Sequence, residues 1–351
     1  MLKKAAALFL VCAGLALCVS CSKSSNNYLY AAIPTASQIL AYREDPNSGA
    51  LTPLSTSPFT AGPGVQSIAI HPSKQFLYAA NSSENDISLF AISTTGALTE
   101  ITPRTPAGTT PAFLIMDPAG SFLYVGNAES NNISAFSISS SSGALNLVGA
   151  PTPIGISPLN MALSPSGNFL FVTGAGQPGY IETFSLNAGA LTFVTVTTTG
   201  TNPYGLAIDP SGKHLYTANF GDNSISEFTI NSDGSLTQLS GSPFGEAYSS
   251  PIALLVDHSG KYLYVANQGS GNLGAYAIGS DGGLTLLTTS PFATSAQPSL
   301  IATDPSGNYL FVGNQKSSAI ESFSLNPGSG ALAEVGSYSV GNTPRSIAVV
   351  P

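Results

Sequence analysis

The sequence predicts an all-β protein, a seven-bladed β-propeller of four-stranded antiparallel blades whose ring is closed by the C-terminal strand pairing into the N-terminal blade. Three observations predict it. An aromatic–Leu–aromatic motif recurs around Leu29, Leu77, Leu123, Leu170, Leu215, Leu263 and Leu310, at spacings of 48, 46, 47, 45, 48 and 47 residues. Between these motifs runs the same series of short β-branched and aromatic segments, bounded by Gly, Pro, Asn, Asp and Ser. The two ends of the repeating region are complementary. The region starts on a second strand, Tyr28-Leu-Tyr-Ala-Ala32, and finishes on a first strand, Pro344-Arg-Ser-Ile-Ala-Val-Val350, so they complete one blade only by meeting. The 36 Gly and 25 Pro in 351 residues exclude a mostly helical chain, and a hydrophobic content of 43% excludes a disordered one.

Taken in order, the chain opens with a basic Met1-Leu-Lys-Lys4 and an apolar run from Ala5 to Leu17, too short to span a bilayer with ease. Residues 1–20 read as a lipoprotein-type signal peptide. Cys12, Cys18 and Cys21 are all the cysteines, and Cys18-Val-Ser-Cys21 resembles a lipobox with Cys21 as the acceptor. Cys18 would need Leu17 at a position that wants a small residue. Residues 21–27 form a Ser- and Asn-rich tether of roughly 20 Å when extended. The propeller occupies residues 28–351. Processing before Cys21 removes two lysines and no acid, taking the formal charge from −8 to −10. That balance argues against a nucleic-acid partner. With its one remaining cysteine lipidated, the exported body relies on its core and not on disulfides.

Each repeat carries four strand signals. The first begins near a proline and ends in a turn, as in Pro203-Tyr-Gly-Leu-Ala-Ile-Asp-Pro-Ser-Gly212. There Pro presets φ, Gly accepts a positive φ, and Asp bonds nearby backbone. The aromatic–Leu–aromatic strand follows and usually ends on Asn. Then come an alternating strand, such as Ile225-Ser-Glu-Phe-Thr-Ile230, and a fourth opened by Gly and Leu, such as Gly234-Ser-Leu-Thr-Gln-Leu239. The start of each first strand and the end of each second strand share one rim.

These motifs, Asp209-Pro-Ser-Gly-Lys-His-Leu-Tyr-Thr-Ala-Asn219 above all, resemble the seven-bladed propeller lactonase family, whose members are similar to 6-phosphogluconolactonase and carboxymuconate cyclase. They are also similar to Tyr-Val-Thr-Asn surface-layer propellers. The resemblance covers nearly all of residues 28–351. It implies lactone-handling residues at that rim: a His and a Pro-Arg-His segment opening first strands, a Glu after a second-strand Asn, and a further Arg. Arginine would hold a carboxylate or phosphate bidentately, and His or Glu would move a proton. This chain departs from the pattern. The strand-opening residues are Arg345, Gln66, Ala112, Leu159, Tyr204, Ile252 and Ser299; Pro203-Tyr204-Gly205 replaces Pro-Arg-His, and Phe220 follows Asn219 where the Glu would stand. Glu129 is one place off and in another blade.

Other clusters give little chemistry. His71, His214 and His258 read as solvated turn or strand-edge residues of the opposite rim, spread over three blades with no metal-ligand spacing. Asp117, Asp209, Asp257 and Asp304 recur at one turn position and read as Asx turns. No phosphate-binding loop or nucleophile elbow is found, and no metal or cofactor is expected. The ring of strand-opening residues is two-faced. Arg345, Gln66 and Ser299 come from adjacent blades, while Ala112, Leu159, Tyr204 and Ile252 are mainly apolar. The expected ligand site is therefore Arg345, Gln66, Ser299 and Tyr204, taking a small amphipathic or lactone-like anion. The sequence reading is an exported, lipid-anchored, non-catalytic binding protein on the outside of a bacterial membrane. Ser22 after the acceptor favours the outer membrane under the enteric sorting rule. Its rivals are a lactone hydrolase with a rearranged site around Arg345 and a structural partner of another envelope protein.

Overall fold

A computed structural model of the chain describes residues 27–245 and 248–350. The expected signal peptide, Cys21 and the tether up to residue 26 lie outside the described residues. The first strand is Asn27–Ile33, so it takes in Asn27, the last residue of the expected tether. Seven antiparallel sheets follow one another around a ring. We number the blades by the order of their aromatic–Leu–aromatic strands. In each, that strand lies between an innermost strand facing the axis and two strands farther out. In blade five these are Pro203–Ile208, His214–Asn219, Ser224–Ile230 and Leu236–Gln238. Blades two, four and seven have one continuous outer strand. In blades one, three, five and six the outermost position is split, and a two-residue piece such as Phe244–Gly245 returns to pair with the third strand. A proline stands immediately before the returning piece in all four breaks, Pro58, Pro151, Pro243 and Pro291, where its missing N–H leaves one ladder position without a donor.

The ring closes as the chain ends predict. Ser346–Val350 pairs antiparallel with Asn27–Ile33, setting Tyr28 against Val350 and Ala32 against Ser346. The Arg345 N–H adds a bond to the Ala32 carbonyl at 3.0 Å. Blade one is thus made of both ends of the propeller.

The core is not central. It is divided into wedges between neighbouring blades, because alternate residues of each second strand point to opposite sheet faces. Leu77 packs with Tyr30 and Ala32 of blade one, while the next residue, Tyr78, packs with Leu123 and Val125 of blade three. At the closing seam Leu29 and Ala31 meet Phe311 and Ile320, with Ile347 and Val349 against them.

The Gly-x-Leu motif has a steric cause. Gly96 sits at φ +78, and a Cβ there would fall 2.3 Å from the Tyr28 ring of the preceding blade. The next aromatic residue, Tyr30, donates its hydroxyl to the Gly96 carbonyl at 2.8 Å. Tyr78 does the same to Gly143, Tyr216 to Gly282 and Tyr264 to Gly330. Burial pushes the Tyr30, Tyr78, Tyr216 and Tyr264 hydroxyls well above their ordinary range, and the carboxylates near Tyr216 and Tyr264 push those two further. Blade seven has Phe311 in this place, and Ser322 Oγ donates to the Gly49 carbonyl instead, at 2.6 Å.

The Asp turns form as expected. Asp209 Oδ1 accepts from the Lys213 and His214 N–H groups at 2.8 and 2.9 Å. Asp257 repeats this with Lys261 and Tyr262. One expectation is corrected. His71 is not solvated: it is 7% exposed and occupies the Asp position of blade two. Its Nδ1 accepts from the Ser73 N–H at 3.0 Å, so Nε2 carries the proton and donates to the Gly120 carbonyl of blade three at 2.9 Å. A neutral imidazole there does the work of the carboxylate and adds a bond between blades. His214 is half-buried, with Nδ1 3.5 Å from Asp209 Oδ2, and only His258 is exposed.

Candidate functional site

A local irregularity builds the site. In six blades the pairing between first and second strand slips by one residue at the rim. In blade five Pro203 faces Asn219 and Gly205 faces Ala218, so Tyr204 has no partner. The same slip leaves Gln66, Ala112, Leu159, Ile252 and Ser299 unpaired. Such a bulge re-aims the extra side chain out of the regular ladder. In blade one Arg345 precedes the paired segment and takes the equivalent place.

All of these residues line one cavity of 420 Å³ on the propeller axis, to which every innermost strand contributes. The four expected site residues, Arg345, Gln66, Ser299 and Tyr204, are brought together around it. Blades seven, one and two supply Ser299, Arg345 and Gln66 as a polar arc. Ala112, Leu159 and Ile252 with Tyr204 supply the rest of the rim, and Phe113, Met161, Leu206 and Leu254 line it deeper.

Arg345 is exposed, and its guanidinium makes no hydrogen bond or ion pair with the described residues. It is the only charged side chain on the wall; no histidine, aspartate, glutamate or lysine lines it among the described residues. Gln66 Nε2 donates to Ser82 Oγ at 3.4 Å, and Ser299, 8% exposed, donates to the Gly313 carbonyl at 3.3 Å. Tyr204 is 37% exposed, its ring edge-to-face with Phe220 at 5.4 Å.

Sequence reasoning missed four polar contributors, Ser67, Ser346, Gln315 and Asn160; the two serine hydroxyls accept from the Leu114 and Ile68 N–H groups at 3.1 and 3.2 Å. Gln315 lines the wall and accepts from Gln268 Nε2 at 3.2 Å, which leaves its own NH2 group unengaged. It follows Asn314, the register at which Phe220 follows Asn219, so the repeat alignment carried the signal. Asn160 follows the bulge residue Leu159 and donates from Nδ2 to the Tyr204 carbonyl at 2.9 Å. Nothing in the repeat marks that bond. Glu129 is exposed in its turn and is not on the cavity wall. No group of three or more His, Cys, Asp or Glu among the described residues could hold a metal ion. No described helix is long and apolar enough to cross a membrane.

Fold and rim together define a ring propeller with an open axial cavity. The chain belongs to the lactonase, seven-bladed beta-propeller family, whose description matches residues 22–158, 153–246 and 242–349. Among solved structures it is similar to a protein from Lactobacillus plantarum, with a TM-score of 0.80 and 21% identity over 93% of this chain and 99% of that one. A candidate 6-phosphogluconolactonase from Bacteroides uniformis gives 0.80 and 20% over 93% and 100%. The periplasmic gluconolactonase of Pseudomonas aeruginosa gives 0.76 and 19% over 93% and 99%. Likeness at these identities shows the fold alone. A search of curated proteins found no match.

Proposed function

We propose that this propeller is an exported, lipid-anchored protein that binds a small amphipathic monoanion in its axial cavity and does not transform it. One observation carries the reading: among the described residues Arg345 is the single charged side chain on the wall, and it has no partner among them. A guanidinium free at a half-apolar rim offers a bidentate fork to a carboxylate. Water activation or proton transfer during lactone opening calls for a base, and among the described residues no His or carboxylate lines the cavity to act as one. Family membership favours a second reading, a lactone hydrolase with a rearranged site around Arg345; the two relatives above whose names specify lactonases support it.

A panel of sugar lactones, corrected for spontaneous opening, separates the two. The binding reading expects no turnover, and turnover abolished by Arg345→Ala would overturn it. For the anchor, Cys21→Ser should leave an unprocessed or mislocalised protein. Detergent-phase partitioning that is unchanged in that variant would count against lipidation.

A further inference from the structure

We infer that the axial cavity selects an aryl carboxylate, a ligand with one anionic group at Arg345 and a planar aromatic ring against Tyr204. This rests on the monoanion reading above and adds the second half of the ligand.

Around a seven-membered ring, blade five lies as far as possible from both blade one and blade two. Tyr204 therefore stands across the axis from Arg345 and Gln66. Neighbours set the position of its backbone and pack one edge of its ring. Phe220 braces it edge-to-face at 5.4 Å and 73°, and Asn160 Nδ2 ties its carbonyl at 2.9 Å. Yet the side chain is 37% exposed on the cavity wall, and its hydroxyl makes no hydrogen bond with the described residues.

A half-exposed, oriented aromatic ring differs from the neighbouring Leu159 and Ile252, which would serve any apolar group. Rings prefer offset or edge-to-face partners, and a ring already packed along one edge has less freedom to lose when a second ring binds. The wall so offers two unused recognition elements, a cation at one side and a pre-set aromatic surface at the other. An aryl group linked to a carboxylate satisfies both; an aliphatic acid of the same size satisfies one.

The test is calorimetric titration of the folded propeller with benzoate, cyclohexanecarboxylate and benzamide. Benzoate should bind about two- to tenfold more tightly than cyclohexanecarboxylate, the range that aromatic pairing supplies. Tyr204→Leu should bring that ratio close to one by weakening benzoate more than cyclohexanecarboxylate, and Tyr204→Phe should keep it. Arg345→Ala should weaken both acids alike. Equal affinity in the unaltered protein, or a ratio that survives Tyr204→Leu, overturns the aryl inference and leaves the anion reading standing. Benzamide binding as tightly as benzoate overturns the anion reading instead. Failure of both acids to bind overturns both.

Discussion

Glu44 stands where each other blade has an aliphatic residue. It ends the third strand of blade one and faces Leu51, as Ile92 faces Leu98, Ile138 faces Leu145 and Leu325 faces Leu332. Its carboxylate is buried with neither oxygen in good hydrogen-bond geometry; the Asn27 side chain lies near enough to favour the charged form, and Asp304 and Asp45 near enough to repel it. Burial first, then those two charges, push its pKa up to about 7 against the opposing pull of Asn27. An unfolded glutamate titrates near 4.3, at roughly its ordinary value. The folded state therefore holds a proton that the unfolded state has lost, and stability falls as pH rises between those values. Glu44→Leu should match the unaltered protein most closely near pH ~4 and exceed it above pH ~7 by roughly 1–3 kcal/mol. Urea melts at both ends of that range check it, and a difference independent of pH would contradict the assignment. This position could have been found in the sequence by aligning the ends of third strands. What could not be found there is the lack of a well-placed partner, which depends on what blade seven places beside it.

At the scale of the element, the repeat was legible because each motif residue has a steric or hydrogen-bonding cause. The Gly opening the fourth strand lies under an aromatic ring of the preceding blade, and the second aromatic caps its carbonyl. Gly96→Ala would meet both a positive φ and a ring 2.3 Å from its new Cβ. It should cost roughly 1–3 kcal/mol, by strain and displacement of Tyr28. Chemical melts measure it, and an unaltered midpoint would contradict the packing account. The candidate site was legible for a related reason. A proline opens the innermost strand of blades three to seven, with Pro344 just ahead of it in blade one and Val65 in its place in blade two, so the residue after that position could be placed at the rim without knowing that it sits on a bulge. The split outer strands were not legible. Whether a proline ends a strand or interrupts it depends on the third strand it returns to. His71 was misread because a histidine can replace an aspartate's acceptor only through one tautomer, and Gly120 selects that tautomer from another blade.

For the whole molecule, closure and function meet in one segment, since Ser346–Val350 completes blade one and Arg345 precedes it. Deleting residues 341–351 removes Ile347, Val349 and Val350 from the blade-one wedges. Their burial is worth roughly 1.5–3 kcal/mol each, a sum comparable to a typical total stability of ~5–15 kcal/mol. Aggregation or a large drop in Tm is expected; a truncated chain that melts like the full one would refute the closed ring. We propose Arg345 as the anion anchor of a cavity with no His or carboxylate base among the described residues. A guanidinium keeps its charge throughout, and no histidine or carboxylate lines the wall among the described residues. The most direct measurement is calorimetric titration of a small carboxylate between about pH 6 and 8, on the unaltered protein, Arg345→Ala and Arg345→Lys. The account predicts affinity flat with pH, lost in Arg345→Ala and only partly restored by lysine, which lacks the bidentate fork. Affinity unchanged in Arg345→Ala, or an inflection near pH ~6–7 from a protein group, would contradict it.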